Sequence, residues 1–122
     1  MQEANSALTE DAFLGGRLRL LQPVQGYRAG VDPVLLAASV PAKPGQRVLD
    51  LGCGVGTALF CLGCRVPGLS LTGIELQPIY ADCARRNALS NNIEAKVVQA
   101  DLSKLPPEIR QMRYHHVLAN PP

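Results

Sequence analysis

The stretch Val48-Leu49-Asp50-Leu51-Gly52-Cys53-Gly54-Val55-Gly56-Thr57 runs from a short apolar segment into three glycines at alternate positions. Residues 47–51 read as a buried strand, and the residues from about 56 to 65 read as a helix. Glycines between a strand and a helix let the backbone turn tightly and approach a bound molecule, with the N–H groups of the helix start aimed at it. A dinucleotide fingerprint places its third glycine at the position held here by Thr57, whereas the third glycine comes one residue earlier, at Gly56. Asp50, at the strand end, would repel a pyrophosphate and attract an ammonium group.

Outward from this loop the chain alternates strand and helix. Residues 69–75 form a second strand, and Pro78 opens a helix that ends near Asn91-Asn92. On that helix, Ile79, Cys83, Ala84, Ala88 and Leu89 make the apolar face, and Asp82, Arg85 and Arg86 lie largely opposite. A third strand covers 95–100, a short helix starts at Pro106-Pro107, and a fourth strand covers 115–119. Such spacing demands parallel pairing with right-handed crossovers, so the fold class is α/β, with a sheet covered on both faces. Residues 1–12 are small and polar and read as a flexible start. Residues 13–45 read as an extension to the 46–122 half domain. In it a strand at 17–22 leads to a hairpin marked by Pro23 and Gly26, and a helix follows with Asp32 as N-cap and Pro33 at its first position, stopping before Pro41.

Two further acids follow the pattern set by Asp50. Glu75 ends the second strand and can accept both hydroxyls of a ribose. Asp101 follows the third strand and can accept from an adenine amino group, with the backbone of Leu102 beside it. A lone acid at a strand end more often caps a helix or faces water. Three of them at the carboxyl ends of adjacent parallel strands, in register with a G-x-G-x-G loop, mark the crevice where open α/β sheets bind ligands. The ligand that fits is a nucleoside with a cationic amino-acid tail, and S-adenosylmethionine matches. The candidate cofactor residues are Asp50, Gly52, Cys53, Gly54, Gly56, Thr57, Glu75, Leu76, Asp101 and Leu102.

Composition narrows the remaining possibilities. A chain of 122 residues holds one compact domain and excludes a complete β/α barrel, which takes roughly 250 residues. The formal charge of +2 excludes a histone-like electrostatic binder. No apolar run approaches the ~20 residues that span a bilayer, and the start lacks the basic and apolar regions of a signal peptide, so the expected location is cytoplasmic with no membrane contact. Cys61 and Cys64 form a C-x-x-C, yet Cys53, Cys83, His115 and His116 supply no second closely spaced pair for a zinc ion. The pair therefore reads as part of a buried helix, and no metal site is expected.

The chain closes on Asn120-Pro121-Pro122, directly after the fourth strand. An exocyclic amine on adenine is a poor nucleophile because its lone pair is delocalised into the ring. The Asn120 side-chain oxygen and the Pro121 carbonyl can both accept from that amine, held by the fixed dihedrals of Pro121 and Pro122, and so favour a tetrahedral nitrogen that attacks a sulfonium methyl.

The glycine loop, Glu75, Asp101 and Asn-Pro-Pro together resemble the class I S-adenosylmethionine-dependent amino-methyltransferases, whose fold is Rossmann-like. The run from Gly15-Gly16-Arg17-Leu18 through Gly26-Tyr27-Arg28-Ala29-Gly30-Val31-Asp32-Pro33 narrows the resemblance to the small-domain group, similar to bacterial valine-tRNA adenine-N6 methyltransferases. It covers about residues 14–122. It implies that Tyr27, Arg28 and Gly30 close over the methionine end of the cofactor, that Asn120, Pro121 and Pro122 are catalytic with Asn120 also near the cofactor, and that the whole protein acts on tRNA. The same motif also serves protein glutamine amides, and a non-catalytic cofactor-binding or assembly module is the third reading.

The family pattern continues beyond residue 122, with an aromatic residue to stack on the base and three further strands. The resemblance therefore implies an N-terminal portion, inactive by itself, holding four strands in the order 3-2-1-4. Its strand 115–119 is expected to form an open edge through which the chain self-associates.

Overall fold

Helix-length connections leave consecutive strands no option but to run in the same direction. A computed structural model describes residues 7–25 and 30–119 of the chain. Its elements are β1 (Leu8–Phe13), β2 (Leu18–Pro23), α1 (Asp32–Ser39), β3 (Arg47–Leu51), α2 (Thr57–Arg65), β4 (Ser70–Glu75), α3 (Pro78–Ser90), β5 (Ala95–Gln99), α4 (Pro107–Gln111) and β6 (His116–Ala119). Strands β3 to β6 form one parallel sheet in the order β5-β4-β3-β6, which is the expected 3-2-1-4. β6 lies at the edge of that sheet among the described residues, with Val117 exposed.

Successive residues of β3 point to opposite faces, and both faces are buried. Val48 joins a large core made with Leu18 and Leu20 of β2, Ala37 of α1, Leu59, Phe60 and Leu62 of α2, and Ala84 and Ala88 of α3. Leu49 joins a smaller core on the other face, with Ile74 and Ile109. The N-terminal extension thus shares its apolar core with the sheet. No helix among the described residues is long and apolar enough to cross a membrane.

Four readings of the sequence are corrected here. Residues 8–12 are not a flexible start: they belong to β1, which pairs antiparallel with β2 from Phe13↔Leu18 to Leu8↔Pro23. Pro23, read as marking a turn, is the last residue of β2 and pairs with Leu8, and the turn that joins the two described strands precedes β2. Leu14, Gly15 and Gly16 make it, all at positive φ (54°, 65° and 91°), a sequence of conformations that two adjacent glycines permit. Asp32 is the first residue of α1, not its cap; the N-cap is Val31, which offers no side-chain acceptor. On α3, Cys83, Ala84 and Ala88 of the expected apolar face are buried, but Leu89 is 79% exposed and Ile79 43%, while Asn87 is fully buried. A polar residue enters that face because backbone groups there require partners. The turn expected at Gly26 lies outside the described residues.

The end of α1 is closed by a side chain from another helix. Arg65, the last residue of α2, donates from its guanidinium to the Ala37 carbonyl at 3.1 Å and to the Val40 carbonyl. The Val40 carbonyl lies just past the helix, and the Ala37 carbonyl otherwise receives a long bond of 3.4 Å from the Val40 N–H, as the open last turn of a helix leaves it. Replacing Arg65 by Leu should lower the unfolding free energy by about 1–3 kcal/mol, since hydrogen bonds to charged donors fall in that range. Urea denaturation would check this, and an unchanged midpoint would remove the capping role.

Candidate functional site

The carboxyl ends of β3, β4 and β5 lie on one side of the sheet because the strands are parallel, with Asp50 opposite Gly73 and Glu75 opposite Gln99. Residues 52–56 leave the end of β3 and cross the end of β4. The N–H groups of Gly52 and Cys53 both donate to the Ile74 carbonyl, at 2.8 and 2.9 Å. The Gly56 N–H donates to the Cys53 carbonyl at 2.9 Å and closes the turn. Gly56 is the N-cap of α2 at φ 98°, and a Cβ there would stand 2.2 Å from the Phe60 ring. Only glycine fits. Gly52 and Gly54 are also left-handed, at φ 74° and 59°, but a Cβ on either would meet nothing within 4 Å. Their free side opens onto space adjoining the loop.

Glu75 is 8% exposed and is tied to the loop from the end of β4. Its Oε1 accepts from the Gly54 N–H at 2.8 Å, and its Oε2 accepts from the Gln77 N–H at 3.0 Å. A carboxylate has about four acceptor positions, so two backbone bonds leave room for two more donors. The sequence pointed to Glu75 as a ligand residue and gave no sign that it also anchors the loop.

Asp50 is 2% exposed, and burial followed by the proximity of Glu75 raises its carboxyl from the ordinary 3.8 to about 7. Its Oδ1 has no hydrogen-bond partner among the described residues, nor has the hydroxyl Oγ1 of Thr57, at the first turn of α2. Two buried polar atoms left without partners at one loop are unusual, because each forfeits its hydration without replacement. Cys53 lies between them, buried; burial, then the Asp50 and Glu75 charges, push its thiol upward and keep it un-ionised.

Asp101 sits two residues beyond β5 and is exposed. Its Oδ1 accepts from the Ser103 N–H and from the Ser103 hydroxyl, both at 2.9 Å, and these bonds hold its pKa below the usual value. Asp101 therefore also caps the short turn at Leu102–Lys104. The Ala100 N–H donates to the Glu75 carbonyl at 3.1 Å and holds this corner to the end of β4. Leu76 and Leu102, one residue after Glu75 and Asp101, are 58% and 50% exposed. Gly30 is exposed just before α1. Tyr27, Arg28, Asn120, Pro121 and Pro122 lie outside the described residues. Asp50, residues 52–57 and Glu75 are brought into one cluster, with Leu76, Asp101 and Leu102 on its flank.

The four cysteines are free thiols, and Cys61 is packed in the main core with the rest of the apolar face of α2. Among the described residues no group of three or more His, Cys, Asp or Glu side chains could hold a metal ion.

Comparison with known proteins agrees with this arrangement. A family model described as "Methyltransferase small domain" matches residues 29–122. The chain belongs to that family. Its members take their methyl group from S-adenosylmethionine. The chain is 35% identical over 120 residues to the tRNA1(Val) (adenine(37)-N6)-methyltransferase of Porphyromonas gingivalis, covering 92% of this chain and 47% of the relative. To the enzyme of that name in Yersinia enterocolitica it is 34% identical, over 78% of this chain and 39% of the relative. The chain thus spans less than half the length of these curated relatives. The structure of the T. thermophilus 16S rRNA N2 methyltransferase with AdoMet and guanosine superposes with a TM-score of 0.73 at 20% identity, over 95% of this chain and 33% of that one. That of the Pyrococcus abyssi tRNA (uracil-54, C5)-methyltransferase with S-adenosyl-L-homocysteine gives 0.72 at 24%, over 94% and 28%. At these identities they establish the Rossmann-like methyltransferase fold.

The titration of Asp50 sets a pH dependence. A carboxyl whose folded pKa lies above its unfolded one is favoured in its neutral form, so its contribution is full below about pH 4 and is lost as pH rises towards about 7. The ligand-free protein should therefore lose thermal stability between about pH 4 and about pH 7, and Asp50→Asn should flatten that part of the profile. Calorimetric scans of both proteins would measure it. An unchanged slope in the variant would show that Asp50 is not the group responsible.

Proposed function

We propose that the space beside residues 52–57 is the seat of S-adenosylmethionine and that this chain supplies the methyl donor's site. The observation that carries the reading is the pair of unpartnered buried atoms, Asp50 Oδ1 and Thr57 Oγ1, next to two glycines whose free side is open. A ligand with a cationic amino-acid end and several hydroxyls satisfies what this corner lacks. The ionised Asp50 offsets the charge of the amino-acid end. Glu75 accepts the two ribose hydroxyls on the oxygen positions its backbone bonds leave open, and because the loop holds it at Gly54 it needs no reorganisation to do so. Leu76 and Leu102 cover the faces of the adenine, and Asp101 accepts from its amino group. Tyr27, Arg28 and Gly30 complete the enclosure over the methionine end.

The bound cofactor supplies a methyl group on a sulfonium sulfur. For the whole protein we further propose that the acceptor is the exocyclic amine of an adenine in tRNA, following the resemblance to the adenine-N6 enzymes. Asn120 Oδ1 and the Pro121 carbonyl accept from the amine, Pro122 stiffens the turn, and the nitrogen that takes the methyl gives up one proton. Selection among amines rests on what holds the base, not on the cofactor residues described here.

Two measurements test this. Because Asp50 must be ionised to hold a cation, S-adenosylhomocysteine should bind about eightfold more weakly at pH 6 than at pH 7.5, where about 9% and about 76% of the carboxyl are charged. Titration calorimetry with Asp50→Asn as the pH-insensitive comparison would show it; no binding at millimolar ligand, or no pH dependence, would contradict the assignment. Incubation of the whole protein with methyl-labelled cofactor should label bulk tRNA as N6-methyladenine, with the signal lost in Asn120→Ala. Label in a glutamine-bearing release-factor peptide instead would move the activity to protein amides.

A further inference from the structure

Strand β2 is paired with β1 along one edge, and its other edge faces α3. No third strand continues this small sheet among the described residues, yet the outward backbone groups of Arg19 and Leu21 are satisfied. Two asparagines one helical turn apart do this. Asn91 accepts from the Arg19 N–H at 3.1 Å and donates to the Arg19 carbonyl at 2.8 Å. Asn87 accepts from the Leu21 N–H at 2.7 Å and donates to the Leu21 carbonyl at 3.1 Å. Each primary amide reproduces the donor and acceptor pair that a neighbouring strand would present. Their i, i+4 spacing on the helix matches the two-residue repeat along the edge of β2.

Asn87 has a second amide hydrogen, and it goes elsewhere. It donates to the Val55 carbonyl at 3.0 Å, between Gly54 and Gly56. Only one orientation of the amide serves all three groups, because the Leu21 N–H requires the oxygen while both carbonyls require the nitrogen. The residue is completely buried, so water does not compete for these bonds. Asn91 makes the same pair of bonds to β2 but touches no atom of the loop; its spare donor reaches the Asn87 carbonyl at 2.8 Å.

We propose that Asn87 is a positioning residue for the glycine loop: it locks the height of Val55, and with it the Gly54 N–H on Glu75, to the N-terminal hairpin. The inference rests on the reading of residues 52–57 as the cofactor seat only for its effect on binding. The loop buries the side chains of Cys53 and Val55, while its three glycines contribute no side-chain packing. Glu75 grips it from the sheet side, and Asn87 grips it from the helix side, so the loop is pinned between two buried polar groups. Strand β2 and the loop are thereby tied to the same buried amide, through Leu21 on one side and Val55 on the other.

The pair Asn87→Ser and Asn91→Ser separates positioning from general support of the hairpin. Amide exchange in the ligand-free chain should speed up by about fivefold or more at Gly54 and Gly56 in Asn87→Ser, as loss of about 1 kcal/mol of hydrogen bonding implies, and stay within twofold of wild type in Asn91→Ser. The affinity for S-adenosylhomocysteine should fall by a similar factor in the first variant alone. Unchanged loop exchange in a folded Asn87→Ser, or equal acceleration in both variants, would overturn the proposal. If the loop loosens as expected while even the wild type binds no S-adenosylhomocysteine, positioning stands and the cofactor reading falls. Should Asn87→Ser not fold, native-state exchange of the wild type decides. The Leu21 amide, released only when Asn87 lets go, should open with the same denaturant dependence as Gly54, and independent opening of the two would refute the link.

Discussion

The bond from the Gly54 N–H to the Glu75 carboxylate joins the two features on which this molecule depends. One is a backbone turn that almost only glycine can make, with Gly56 at φ 98° against the Phe60 ring. The other is a carboxylate buried at the end of a central strand. Bringing Glu75 into the protein costs solvation, and two backbone N–H groups offset part of that cost. Bringing Asp50 in beside it costs more, because nothing compensates its Oδ1 and the neighbouring charge opposes ionisation. Strain, desolvation and like charge gather at one sheet end. Such a concentration is expected where a protein is shaped for a partner, since the ligand returns what folding gave up.

The rest of the architecture holds that end in place. The sheet order puts β3 and β4 side by side at its centre, so the loop from β3 crosses β4 and takes two bonds from the Ile74 carbonyl. Gly73 admits the loop closely: a Cβ there would stand 2.8 Å from the Cys53 sulfur. The hairpin covers α3 and delivers a backbone edge to Asn87, and α1 is fastened to α2 by Arg65. Elements with no acid or glycine of the site therefore still decide where the loop lies.

Much of this was legible from residues alone. Alternating apolar runs and helix-length gaps are dictated by burial on both sheet faces, so the four strands could be read before any coordinates, while their order came only with the family resemblance. The acids at 50, 75 and 101 could be found because a polar residue at the end of an apolar strand breaks a pattern. Other features left no such mark. Thr9, Asp11 and Phe13 alternate too weakly to announce a strand, and β1 exists because β2 and a glycine turn present it with a partner. Leu89 looked like core and Asn87 stood out in no pattern, since hydrophobic periodicity has no term for a buried amide matched to backbone groups far along the chain.

By itself the sequence determined the α/β class, the position of the glycine loop and the identity of its three acids, because these follow from local chemistry and from the period of burial. Tertiary structure alone decided which atoms of those acids are already occupied. Glu75 turned out to be an anchor as well as an acceptor, Asp101 a cap, and Asp50 an acid raised to about 7 with an open oxygen. The cap at Asp101 is made with Ser103 two residues on, but the bond between Glu75 and Gly54 spans 21 positions and the charge of Glu75 acts on an acid 25 positions before it, and no local pattern encodes these.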